Sequence, residues 1–150
     1  MALRNIVLDG DPILRKKSKA VEKVDDRIRQ ILDDMAETMY NTENGAGLAA
    51  CQVGILKRLV VIDMGTGLLK LVNPEIITAE GSQEVVEGCL SFPGQYGKLT
   101  RPHKVTVKAL NEKGEPILLE GEGELAKCFC HETDHLDGIV FVDQVTEWME

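Results

Sequence analysis

The stretch His131-Glu132-Thr133-Asp134-His135 has residue types and a spacing suited to metal chemistry. Two histidines four apart on a helix share one face. At ~1.5 Å per residue they stand ~6 Å apart along the axis, so both imidazoles can tilt onto one divalent ion. Glu132, beside the first of them, is placed to take a proton from a water held at that ion. This is the layout of a metal-dependent hydrolase. Two of the chain's three histidines fall at this spacing, which argues against chance histidines on a solvated helix.

A catalytic site for a zinc-like ion takes three protein ligands and keeps one position open. One class of zincins supplies a histidine six residues after the second, but position 141 is Phe, which cannot ligate. Only 15 residues follow His135, and Glu147 and Glu150 have little structure left to carry them back. The third ligand is therefore expected upstream. Cys128 and His135 are seven residues apart, ~10 Å along a helix, too far for bonds of ~2.0–2.3 Å to one ion that also binds His131. Cys130 points well round the helix. Cys89, Cys51 and His103 remain. Cys89 leads because Gly88 beside it permits close approach of backbone to a bound group.

These residues need elements to hold them. Asp11 and Pro12 mark the cap and first position of a short helical turn. From about Asp25, Ile28, Ile31, Leu32, Met35 and Met39 recur at helical spacing, with a stop expected at Asn44-Gly45. Leu59 to Ile62 is wholly apolar and reads as a buried strand. Leu68 to Val72 and Glu75 to Thr78 read as two strands about Asn73-Pro74. Val105 to Leu110 alternates, and Asn111 to Gly114 turns it into a partner from Pro116 to Leu119. A second long helix is expected from about Glu124 to Asp137, stopped by Gly138, and a last short one from Asp143 to Met149. The fold class expected is α+β: a mainly antiparallel β-sheet packed around the helix that bears the two histidines, in a single domain over residues 1–150.

The bulk numbers agree with that size and class. The chain has 150 residues, 43% hydrophobic, 28% charged and only 4% aromatic, so its core must rest on aliphatic side chains. A net charge of −8 argues against broad binding to nucleic acid or anionic lipid, although a local basic patch is compatible with it. Met1 to Asp9 shows no secretory signal, and no apolar run approaches the ~20 residues of a membrane span. The expectation is a cytoplasmic protein with no membrane partner, and four cysteines that stay reduced.

Three segments in order, Gly45-Ala46-Gly47-Leu48-Ala49-Ala50-Cys51-Gln52, Glu87-Gly88-Cys89-Leu90-Ser91 and His131-Glu132-Thr133-Asp134-His135-Leu136, resemble the three motifs of the peptide deformylases. The resemblance spans essentially the whole chain, including Asp11 to Arg15 and Asn73-Pro74. It implies removal of the formyl group from formyl-methionine at the start of new polypeptides, with release of formate. By matched position it implies Cys89, His131 and His135 as ligands of one divalent metal. Fe(II) is the ion expected, and Zn, Ni or Co suit the same donors. Glu132 becomes the general base and then the acid. The Gln52 amide and the Leu90 N–H become donors to the oxyanion. Gly45 to Gly47 become a backbone rail for an extended peptide. Ala46, Gly47, Val85, Gly88, Cys128 and the edge of His131 become contacts of the substrate and its methionine side chain. Asp134 is expected to orient through a hydrogen bond or an arginine, and Arg101 to pair with Glu87.

Some positions depart from the family pattern. Position 51, often Pro, is Cys, and position 130, commonly Gln, is Cys. Gly94-Gln95-Tyr96 replaces a common Glu-Gln-Arg, so contacts beyond the first substrate residue are expected to differ. The sequence stops soon after its third motif, whereas one branch of the family has a C-terminal helical extension tied to ribosome docking, so that mode is not carried over; a transient ribosome contact is expected with no assigned mode, and no sequence-specific nucleic acid. Two competing readings stay in view. One is a protease acting on internal bonds. The other is a metal-stapled binding protein with Cys51 closing the site.

Overall fold

The computed structural model describes residues 2–42 and 45–149. Asp11 accepts a bond from the Ile13 N–H at 3.0 Å and starts a 3-10 turn over Pro12–Arg15, as its sequence predicts. Helix α1 (Asp26–Tyr40) starts on Asp25, whose side chain accepts from the Ile28 N–H at 3.0 Å. It ends before the expected Asn44-Gly45 stop. Asn41 already turns its N–H onto the last carbonyls, and Asn44 lies outside the described residues.

Among the described residues, eight strands follow in two sheets. They are β1 (Gly47–Ala49), β2 (Leu59–Ile62), β3 (Leu69–Glu80), β4 (Gln83–Cys89), β5 (Phe92–Arg101), β6 (Lys104–Leu110), β7 (Pro116–Glu122) and β8 (Glu147–Trp148). One sheet has the order β1-β2-β3-β6-β7 and the other β4-β5-β8, and all their pairings are antiparallel. Between β7 and β8 comes helix α2 (Glu124–Leu136), which carries the histidine pair.

The five-stranded sheet is covered on both faces, which explains the unbroken apolar run in β2. Val60 and Ile62 join Leu71, Val105 and Val107 against Ala126, Cys128, Phe129 and Leu136 of α2. Leu59 and Val61 turn the other way, onto Ile28, Ile31, Leu32, Met35 and Met39 of α1. Alternation along a strand with two covered faces leaves no position for a polar residue.

Two expectations are corrected. The segments about Asn73-Pro74 form one strand, β3, rather than two. Asn73 takes a left-handed φ of 52°, and the register shifts between Val72 and Glu75. Pro74 cannot donate to the ladder, so the chain absorbs it as a bulge. Asn73 is fixed there by two bonds to the Val21 backbone, at 2.8 and 2.9 Å. The expected last helix is instead a 3-10 turn (Phe141–Asp143) followed by β8. The edge of β5 captures this segment: Thr146 N–H donates to the Lys98 carbonyl and Met149 N–H to the Tyr96 carbonyl, both at 2.8 Å. Strands β1, β4 and β5 had no expected counterpart, because glycines and charges interrupt their apolar pattern.

Helix α2 stops where expected. Gly138 has φ 75°, and a Cβ on it would lie 2.4 Å from the Arg15 carbonyl oxygen. Both the left-handed backbone and the close approach require glycine.

Candidate metal centre

Three donor atoms, one from a strand and two from a helix, converge. Cys89 is the last residue of β4, and His131 and His135 lie one turn apart on α2. Their ligand atoms all fall within 4.8 Å of one another, and no other such group occurs among the described residues. Cys89 Sγ stands 3.3 Å from His135 Nε2. The two rings sit 5.0 Å apart at 72°. Of the three upstream candidates, Cys89 is the one that meets the histidine pair. Cys51 is buried in the core with its thiol toward the His135 carbonyl, 3.6 Å away, and His103 lies on another segment.

The polar surroundings leave the pair ready to ligate. Glu87 Oε1 lies 2.7 Å from His131 Nδ1, which leaves Nε2 of that ring as its free donor. Glu87 is itself gripped by Arg101, whose Nε and Nη2 donate to its two oxygens at 2.6 and 2.9 Å. Arg101 Nη1 also donates to Asp134 Oδ2 at 2.7 Å. The pairings expected for Arg101 and Asp134 are thus one connected brace. Burial alone raises the Glu87 carboxyl, yet the bonds from Arg101 and His131 hold it at about 2. Burial pushes His135 well below the ordinary histidine value, so its ring is neutral.

Glu132 is 4% exposed, and its Oε1 has no hydrogen-bond partner. Burial raises its carboxyl to about 7. A buried carboxylate oxygen with nothing to bond marks a place for a bound group. Gly47 makes the room: a Cβ on it would fall 2.7 Å from Glu132 Oε2 and 3.0 Å from Cys128 Sγ. The Nδ1 of His135 is a second buried atom without a partner. One thiol, two imidazoles and an orphaned carboxylate fit a divalent metal with hydrolytic chemistry.

These groups open on a cavity of about 560 Å³. Ala46, Gly47, Gln52, Gly88, Leu90 and Cys128 all line it, with Cys89, His131 and Glu132 at its floor. Gln52 spans the site: Oε1 accepts from the Ala49 N–H at 2.9 Å, and Nε2 lies 3.3 Å from Cys89 Sγ and 3.2 Å from Ser91 Oγ. Val85 is a correction. It is buried on the inward face of β4, and the wall residue is Val86, which shares the other face with Gly88. Gly94 and Tyr96, from the segment that departs from the family pattern, line it with Glu87 and Pro93, and Met64, Glu124 and Lys127, which were not singled out from sequence, complete the wall. Parity with Gly88 was the available signal for Val86. The contact of Glu87 with His131 spans 44 positions and had none.

Residues 3–150 match the model of the polypeptide deformylase family. The chain is 69% identical to peptide deformylase 2 of Clostridium acetobutylicum, over the full length of both. It is 58% identical to a peptide deformylase of Acetivibrio thermocellus, over all of this chain and 88% of that one. Among solved structures, a peptide deformylase from Thermotoga maritima superposes with a TM-score of 0.93 at 41% identity, covering 96% of this chain and 98% of the other. One from Synechococcus elongatus, in complex with actinonin, gives 0.92 at 45% identity, covering 96% and 79%. A match along nearly the whole chain, joined to this cluster of donors, shows that the chain belongs to the polypeptide deformylase family.

Proposed function

We propose that this chain removes the formyl group from formyl-methionine at the N-terminus of newly made polypeptides and releases formate, with Cys89, His131 and His135 holding one divalent metal. The carrying observation is the buried, unpartnered Glu132 carboxylate beside those three converging donors. Removal of that formyl group is the activity of the family. When bound, a divalent ion supplies Lewis acidity and a water of lowered pKa.

The protein side chains do the rest. Glu132, at about 7, is poised to accept a proton as the formyl carbon is attacked and to return one to the departing amine nitrogen. Gln52 Nε2 and the Leu90 N–H are the donors assigned to the oxyanion. One such donor is worth about 3–4 kcal/mol of barrier in other hydrolases. Ala46, Gly47, Gly88 and Cys128, with Val86 in place of Val85, line the space assigned to the methionine side chain. Iron(II) is the proposed ion, supported by a mixed thiolate and imidazole donor set that also takes zinc, nickel or cobalt. The proposal places the protein in the cytoplasm, acting as one catalytic domain over residues 1–150, consistent with the extent of the family match. No helix among the described residues is long and apolar enough to cross a membrane.

The test is formate release from a formyl-Met peptide beside its unformylated twin. Glu132→Gln is expected to lower turnover ~10²–10⁴-fold while metal stays bound. Cleavage of internal bonds by the parent protein, or undiminished turnover in the variant, overturns the reading.

A further inference from the structure

We infer that Phe141 is a positioning residue for the metal centre and that it couples the centre to Trp148. In one class of zincins, position 141 holds the third ligand, six residues past the second histidine. Here its phenyl ring sits 5.9 Å from the His131 ring, tilted by 34°. His131 is thus held from two sides, by Glu87 on its Nδ1 and by Phe141 near its face.

Phe141 also reaches the other ligand-bearing element. Its ring meets Phe92 edge-on at 5.7 Å, and Phe92 is the cross-strand partner of Cys89. Phe92, Phe141, Leu14 and Val140 form a buried cluster on which Cys89 packs. The ring is therefore a wedge between α2 and the β4–β5 turn, the two elements whose donors must converge. At 1% exposure the ring is fully buried in that contact.

Behind Phe141 stands Trp148, 6.2 Å away at 68°, the only tryptophan in the chain. It sits on the C-terminal arm, which is tied down at several points. Asp143 pairs with Arg15, and Gln144 Nε2 donates to Asp134 Oδ2 at 3.0 Å. Trp148 itself pairs with Gly97 of β5. Asp134 accepts from Arg101 as well, so the polar brace and the aromatic series enter the same arm. Movement of the His131 ring must pass to Phe141, because a close-packed interior has no slack to absorb it.

This inference rests on the metal-centre reading, and its test separates the two. The metal-loaded protein is mixed with a colorimetric chelator, and metal release and Trp148 emission are followed together. Emission is expected to change at the rate at which metal is lost. Phe141→Leu keeps most of the apolar volume without the flat ring, and Phe141→Ala removes both. Both variants are expected to release metal faster, by ~10–100-fold for Ala and less for Leu, the range seen when groups that orient metal ligands are removed. Emission from Trp148 should cease to follow metal in the Ala variant. Release at the parent rate from folded variants overturns the inference. So does Trp148 emission that stays constant through complete metal loss from the parent, a result that needs no variant. A parent protein that binds no cobalt, with no thiolate-to-cobalt absorption band, overturns the metal-centre reading and this inference with it.

Discussion

Glu132 gains its character from what is missing around it. Gly47 has no side chain, so the carboxylate fits beside β1, and Oε1 faces no donor. Burial then holds the group at about 7, where it can both take and give a proton. Gly47→Ala tests how finely this is set. A methyl group 2.7 Å from Glu132 Oε2 must push the carboxylate aside. Turnover is expected to fall ~10²-fold, the cost of misplacing a catalytic group by about 1 Å. Bound metal should stay at the parent level, because the atoms nearest the added methyl belong to Glu132 and Cys128 and not to the three donors. Unchanged turnover in steady-state kinetics counts against the tight fit. At this scale the sequence was most readable where spacing alone implies geometry, as with His131 and His135. It was least readable where two distant segments meet. Nothing local in Glu87 announces a bond to His131, and nothing in Tyr96 announces that its ring lies over Gly88.

At the scale of elements, α2 and β4 must stay locked for the donors to converge. Arg101, from the end of β5, is the lock. Its guanidinium is 4% exposed and is shared between Glu87 and Asp134. Replacing it with methionine keeps the length but leaves two carboxylates without their cation. Removing one partner from a buried ion pair costs about 3–5 kcal/mol, because the remaining charge is stranded. Arg101→Met should therefore show a fall of that size in chemical denaturation of the metal-free protein. A loss below about 1 kcal/mol, typical of surface pairs, sinks this role. The helices were legible because their apolar periodicity and caps are local. Asp11 caps where it was expected to, α1 begins at the expected Asp25 boundary, and Gly138 ends α2. Strand β8 was misread because its cause is not local. Residues 143–149 carry no helix-breaking signal strong enough to reveal that the β5 edge binds them. Strand β5 was missed for the converse reason: Gly94, Gly97 and its charges obscure a strand that pairing on both sides sustains.

Across the whole molecule, two helical layers close on one sheet, and the N-terminal segment is pinned over the outer helix. Asp34 of α1 does the pinning. It is 3% exposed, and it accepts from the Ala2 N–H at 2.9 Å, from Gln30 at 2.8 Å and from the Arg4 guanidinium at 2.9 Å. Burial raises its carboxyl, but these donors together hold it below the ordinary aspartate value. A carboxylate lowered by folding stabilises the fold above its unfolded value of about 3.9, and that stabilisation is lost as pH falls through the lower folded value. Asp34→Asn should therefore lower the thermal midpoint at neutral pH, where the parent keeps its charged, fully bonded carboxylate. The gap between parent and variant should shrink on acidification through the unfolded value and close only below the lowered folded value, where both carry a neutral group. The net charge of −8 makes this comparison necessary, since protonation of other carboxylates alters the stability of both proteins together. Only the difference isolates Asp34. Melting curves for the pair from pH 7 to pH 2.5 provide it. A gap that stays constant over that range shows that the pinning comes from shape and neutral hydrogen bonds, which do not depend on the proton.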